Sequence, residues 1–389
     1  MVSFSPSEDE QSLLDTISRF AREELEPRIR EADRACTVDG GMRGRYRELG
    51  GHLLGLPDNV GGVGFGVIAK VLAEEALAKV DAAQAVGLDD AGLAAHLILA
   101  LGSDAQQQQW LQPLAQEPDY ALAFAYDERL PGASLGYQAT RAAASGPVYL
   151  LNGEKVAVYN ADKAKHLVVL ARINEHDGLA GLGAFVVDTK AIGVKIEPED
   201  RMGLRAGRPC HVRFINCRVP AAARLQGEND VAALTRVFNL GRIISAARLV
   251  GSARGALAYA IEYAQDRSAF GKKICQHQGL AFFMADMEVA TETARNLMLK
   301  AAWQYQVGEN ATVTSCNAII TACEAAVKVT VDSVQVFGGS GFMKDMPVER
   351  YMRDARALAN MVGTSEDHVE VLGQALYAPI PGTNGKEAA

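Results

Sequence analysis

Three changes of pattern along the chain predict an α+β protein, mainly α: an N-terminal helical domain, a middle β domain and a C-terminal four-helix bundle. Apolar residues recur at helical spacing through residues 1–118. Residues 119–226 then break into short runs rich in apolar and β-branched residues, separated by Gly, Asn and Asp. The helical period returns in four long segments, 232–266, 277–308, 311–337 and 347–374, the pattern of a four-helix bundle over 227–377. The last residues, 378–389, have the composition of a flexible tail.

The first helix is expected over 6–34, with Ser7 as N-cap, Glu8, Asp9 and Glu10 in the first turn, and Leu13, Leu14, Ile17, Phe20 and Ala21 on one face. A turn-rich loop (54–66) around Pro57 and Gly61-Gly62 precedes helices over 67–79, 82–102 and 105–115. Asp89 and Asp90 fall mid-helix in strongly apolar surroundings, where carboxylates are unexpected unless one meets solvent or a cavity. The other reading of the pair is a helix break at Asp90-Ala91-Gly92. Strands are expected over 121–126, 147–151, 155–159, 166–171, 184–188, 194–197 and 211–214, with Leu151–Glu154 as a hairpin turn.

At 389 residues the chain exceeds one compact domain. A net charge of -8 without a basic run argues against nucleic acid. The acidic N-terminus is no signal peptide, and apolar runs such as Ala91–Leu101 fall short of the ~20 residues that span a bilayer. The six cysteines lack CxxC spacing and read as reduced thiols of a cytoplasmic protein. The seven histidines form no metal constellation.

The most informative stretch runs from Val334 to Glu370. It carries Gly338-Gly339-Ser340-Gly341, then Met352-Arg353-Asp354-Ala355, then Gly363-Thr364-Ser365. With Asp200–Arg205, Cys217–Pro220, Tyr263–Ile274 and Gln278, it resembles the signatures of the acyl-CoA dehydrogenase flavoproteins in order and spacing, and the resemblance covers nearly the whole chain. It implies an oligomeric, FAD-dependent enzyme that desaturates an acyl-CoA thioester and passes electrons to an electron-transfer flavoprotein. Arg267, Phe270, Gln278, Gln335, Gly338 and Gly339 would hold FAD, reaching across to a neighbouring chain. An arginine suits the pyrophosphate, and glycines allow close backbone approach. Tyr126, Asp127, Tyr159 and Thr364 fall where the family holds the flavin ring, and Ala133, Asn239 and Arg242 where it contacts substrate.

The chain departs from the family at the ring and at the base. Tyr159 stands where a threonine faces the flavin, in Ala157-Val158-Tyr159 for Trp-Ile-Thr. Asp127 puts a carboxylate where a neutral hydroxyl is usual. The usual catalytic Glu is replaced by Val362, and the minority position on the first bundle helix is Gly241. Asp89 and Asp90 are the candidate replacements. A buried aspartate with a raised pKa would suit a base near neutral pH, and relatives that act on cyclic acyl groups draw an aspartate from this region. Two readings follow: a dehydrogenase with a non-standard base, on a cyclic or branched acyl group, or a non-catalytic partner subunit that donates half of the FAD site. Flavin monooxygenases on the same fold also lack the Glu and form a minor third.

Overall fold

The computed structural model describes residues 6–129, 137–175, 178–226 and 230–377. Helix α1 (Glu8–Phe20) starts in a capping box: Ser7 Oγ accepts the Glu10 N–H, and the Glu10 carboxylate accepts the Ser7 N–H at 2.8 Å. The expected 6–34 helix is not continuous. After Phe20 it passes through a π turn and a 3-10 turn around Pro27, which has no N–H to donate, before α2 (Ile29–Ala35). Helix α3 (Gly40–Glu48), capped by Asp39, was not expected because its glycines hide the helical signal.

Helix α4 (Val67–Leu88) joins two expected helices across a kink at Asp81. The Asp81 carboxylate caps the second half by accepting the Gln84 N–H at 3.0 Å. Arg350 and Tyr351 donate to the carbonyls that the kink frees, on Val80 and Lys79. Asp89 and Asp90 are therefore not mid-helix. α4 ends at Leu88, and α5 (Gly92–Leu101) begins after a break that Asp89 Oδ1 stabilises by accepting the Gly92 N–H at 3.0 Å. Helix α6 (Asp104–Gln116) completes the domain.

The β domain comprises β1 (Leu122–Ala125), β2 (Arg141–Ser145), β3 (Val148–Tyr159), β4 (His166–Arg172), β5 (Leu182–Asp188), β6 (Val194–Pro198), β7 (Pro209–Pro220) and β8 (Arg224–Leu225). Among the described residues the sheet order is β6-β7-β3-β2-β4-β5-β8, with β1 parallel to β4. The hairpin turn lies at Gly146-Pro147, between β2 and β3, and not at Leu151–Glu154. Gly146 takes φ 61° there, while Asn152-Gly153 is absorbed inside β3 as a bulge against β7.

Helix α7 (Asp230–Asp266) is the spine shared by all three domains. Its Gly255 packs on α4 so closely that a Cβ there would lie 2.1 Å from the Lys79 carbonyl oxygen. A two-residue hairpin, β9 (Ser268–Ala269) to β10 (Lys272–Lys273), leads to α8 (Gln278–Gln306) and α9 (Thr312–Phe337). The expected 347–374 helix is split into α10 (Val348–Leu358) and α11 (Ser365–Leu376), with Thr364 capping the latter. One hydrophobic core joins the helical domain to the bundle, and a second fills the space between the sheet, α5, α6 and the start of α7. Leu93 and Met361 touch both cores, and the cavity of interest lies at that seam.

Candidate active site

The cavity at the seam measures about 90 Å³. Leu93, Phe124, Ile244, Met361 and Val362 form apolar walls, Tyr126 and Tyr159 stand on the sheet side, and Asp89 and Arg248 supply charge. Val362 and Gly241 meet in it: a Cβ on Gly241 would lie 3.1 Å from Val362 Cγ1 and 2.7 Å from Leu93 Cδ1. The two positions expected to hold a base are thus adjacent and apolar, and a side chain on Gly241 would crowd Leu93 and Val362.

Asp89 lines the cavity, but it is not the free, weakly acidic carboxyl that burial alone would give. Arg248 Nη2 donates to it at 2.8 Å and Lys70 Nζ at 3.5 Å. Glu74 accepts from the same two cations, from Arg248 Nε at 2.7 Å and from Lys70 Nζ at 3.2 Å. Two cations and two carboxylates form one closed, buried quartet. Burial pushes the Asp89 pKa up, but Lys70, Arg248 and the Gly92 N–H outweigh it and hold the carboxyl below the ordinary range. The expected raised pKa is overturned by partners that sequence spacing did not reveal. Lys70 and Glu74, four residues apart on an apolar helix, and Arg248, inside an otherwise apolar stretch of α7, were the available signal.

Asp90 lies outside the cavity. It is fully buried, accepts from Arg47 Nη1 at 2.7 Å and is paired with Arg43, so it ties α5 to α3. It has no route to a substrate in this cavity, and the expectation that it serves as base is corrected. Glu366 is exposed on the first turn of α11.

On the sheet side, Tyr126 donates its hydroxyl to the Met361 carbonyl at 2.7 Å, bridging the β domain to the loop before α11. Thr364 is engaged as the α11 cap, its Oγ1 donating to Asp367 at 3.0 Å. Burial pushes the Tyr159 hydroxyl up to about 12, so it stays protonated at neutral pH. Ala157 takes φ 52° at the bulge between Lys155 and Val158. Lys155 is buried and donates to Glu128 at 2.7 Å and to the Tyr126 carbonyl at 3.1 Å. Ala133 lies outside the described residues.

Asp127 is partly buried, and burial pushes its carboxyl up to about 6. The folded chain therefore holds this proton more tightly than the unfolded chain, so stability is lost as pH rises through 6. Asp127→Asn is expected to raise stability at pH 8 by on the order of 2 kcal/mol and to leave it unchanged at pH 4. Urea unfolding at both pH values checks this, and equal effects at the two would rule out the protonation account.

These residues do not fit a flavin ring as the family's do. The tyrosine and threonine hydroxyls are engaged internally or remote on a long side chain, no tryptophan is present in this segment, and a carboxyl stands at Asp127. The outer half is the opposite case. Arg267, Gln278, Gln335, Gly338 and Gly339 are exposed, and Arg267 has no side-chain partner among the described residues. Phe270 is 97% exposed. A Cβ on Gly338 or Gly339 would meet nothing within 4 Å, so the surface is open to an approaching group.

Asn239 and Arg242 do not line the cavity. Arg242 is 1% exposed, with Nη1 donating to Asn239 Oδ1 at 2.8 Å and Nε donating to His368 Nδ1 at 3.3 Å. Burial and Arg242 together lower the His368 pKa to about 3, so His368 brings no charge. Among the described residues Arg242 has no carboxylate partner, whereas the buried Lys70, Lys155, Arg248 and Arg350 each have one. A buried guanidinium without a counter-ion is the condition of an anion acceptor.

Three family models match in order: the acyl-CoA dehydrogenase N-terminal domain over 7–118, the middle domain over 123–217 and the C-terminal domain over 231–377. The chain is 33% identical over 382 residues to the short-chain specific acyl-CoA dehydrogenase of Megasphaera elsdenii, covering 96% of this chain and 99% of that one. It is 34% identical over 376 residues to the cyclohex-1-ene-1-carbonyl-CoA dehydrogenase of Geobacter metallireducens, with 96% and 99% covered. The solved butyryl-CoA dehydrogenase of Megasphaera elsdenii superposes with a TM-score of 0.89 at 33% identity, over 96% of this chain and 100% of that one. This chain belongs to the acyl-CoA dehydrogenase family, oxidoreductases that bind FAD and act on acyl-CoA.

Proposed function

We propose that this chain is a subunit of an FAD-dependent acyl-CoA dehydrogenase assembly, in which it donates the outer half of the FAD site to a neighbouring chain. The carrying observation is the split within the chain. The donated surface from Arg267 to Gly339 is open, while the Tyr126 and Thr364 hydroxyls are engaged with Met361 and Asp367 and both base positions are apolar. FAD, when bound, supplies hydride acceptance in this family, and an electron-transfer flavoprotein is the acceptor this reading implies. Arg267 would neutralise the pyrophosphate and Phe270 would stack on the adenine. Arg242, a buried cation without an ion-pair partner among the described residues, fits the anionic CoA portion of a thioester if the loop before α11 moves.

A second reading keeps the chemistry in this chain, with Asp89 as the base on a cyclic acyl group. It is favoured by one observation: Asp89 is the carboxylate that lines the cavity. To act, it would have to be released from Arg248 and Lys70. Purification of the full chain alone, followed by its visible spectrum, separates the two. The partner reading expects a colourless chain that becomes yellow only with a co-expressed homologue carrying the Glu. A chain that purifies yellow alone and bleaches with an acyl-CoA sinks the partner reading. If Asp89→Asn then leaves turnover unchanged, Asp89 is removed as base.

A further inference from the structure

The quartet at the cavity leaves one group without an oxygen. Arg248 Nε donates to Glu74 and Nη2 to Asp89, but among the described residues Nη1, at the cavity-lining Met361, has only the Met361 Sδ at 3.8 Å. A thioether is a weak acceptor, and a buried guanidinium N–H without an oxygen partner forfeits a charge-assisted hydrogen bond. Beside it, the Asp89 side chain is 10% exposed, at the same end of the cavity. Leu93, Phe124, Ile244 and Val362 make much of the remaining lining apolar, with Tyr126, Tyr159, Asn160 and Ser245 as its other polar groups. A plain alkyl group would cover the Nη1 donor without satisfying it. A carboxylate would add a third negative charge to a quartet already balanced at two of each sign. A neutral oxygen meets both demands: it accepts from Arg248 Nη1 and, if a hydroxyl, donates to Asp89.

We propose that Arg248 and Asp89 make this cleft selective for acyl groups that carry a hydroxyl or keto oxygen, with Arg248 as the specificity-determining residue. The inference rests on reading the cleft as an acyl-CoA site. It does not depend on whether this chain or its neighbour performs the oxidation.

The test is equilibrium binding of butyryl-CoA, 4-hydroxybutyryl-CoA and free CoA to the full chain, in whatever assembly it purifies. The hydroxylated ester is expected to bind roughly tenfold or more tighter than the alkyl ester. Arg248→Lys, which keeps the charge facing Glu74 and Asp89 but shortens the donor, is expected to bring the two esters close to parity without changing binding of free CoA. Sites on a homologous neighbouring chain are unchanged by the substitution, and a second copy of this chain carries the same altered cleft, so in either assembly the difference reports this cleft. Equal binding of both esters by the wild-type protein overturns the inference without needing any variant to fold. A preference that survives in Arg248→Lys removes Arg248 as its source. If free CoA binds as tightly as either ester, the cleft takes no acyl group, and the acyl-CoA reading falls with the inference.

Discussion

Replacing Arg248 with methionine is expected to lower the stability of the fold by about 3–5 kcal/mol, the range for removing one partner from a buried ion pair. The substitution keeps much of the volume but leaves Glu74 and Asp89 buried with Lys70 as their one counter-ion among the described residues. Loss of the Coulomb term matters less than the desolvation that is no longer offset. The defect has a pH signature. Arg248 now holds the Asp89 carboxyl below its ordinary range. Without it two of the causes that lower this pKa are gone and the folded-state value rises, so the ionised carboxylate contributes less stability above the unfolded pKa than it does in the wild type. The variant should therefore be further below wild type at pH 8 than at pH 4, as read from urea unfolding at both. Adding Glu74→Gln should recover part of the loss, because it removes the charge that Arg248 chiefly offsets. A loss under 1 kcal/mol that does not change with pH would mean the quartet is hydrated and not a sealed cluster.

The architecture was legible because it depends on periodicity. The 3.6-residue pattern of α4, α7, α8 and α9 and the short apolar and β-branched runs of β3 to β7 are local properties of the chain. The breaks were less visible. Pro27 interrupts the first helix by lacking an N–H, an extended backbone at Asp81 kinks α4, and Gly146 rather than Gly153 turns the hairpin, and periodicity announces none of the three. In the site, the absence of a base was readable from two positions, Val362 and Gly241. The state of Asp89 was not. Its basicity is set by Lys70, 19 residues away, and Arg248, 159 residues away, which only the packing of α4 on α7 brings together. Likewise Asp90 looked equivalent to Asp89, yet the break between α4 and α5 sends one into the cavity and the other toward α3. Adjacent residues outside regular structure can face unrelated surroundings, and no spacing rule separates them.

Arg267→Ala and Phe270→Asn are each expected to weaken FAD retention in the co-purified assembly without weakening this chain. Arg267 is exposed and has no side-chain partner among the described residues, so its removal should change stability by less than about 0.5 kcal/mol. A charge-assisted hydrogen bond to the pyrophosphate contributes about 1.5–3 kcal/mol, so FAD affinity should fall roughly 10- to 150-fold. Phe270 gives the sharper contrast. Phe270 and Gly271 form the two-residue turn between β9 and β10 with φ 51° and 81°, the left-handed region where Asn-Gly is favoured. A phenylalanine 97% exposed, held at positive φ and meeting only the His277 ring edge-on at 6.3 Å among the described residues, contributes little to the fold there. Asparagine should therefore leave the hairpin as stable or more so, while the loss of aromatic stacking on the adenine costs about 1–3 kcal/mol of binding. Thermal melting of the chain and fluorescence of released FAD from the assembly measure the two effects separately. Retention of FAD equal to wild type in both variants would show that this surface does not reach a neighbour's cofactor. A melting temperature that falls together with FAD retention in Phe270→Asn would instead make Phe270 part of the fold.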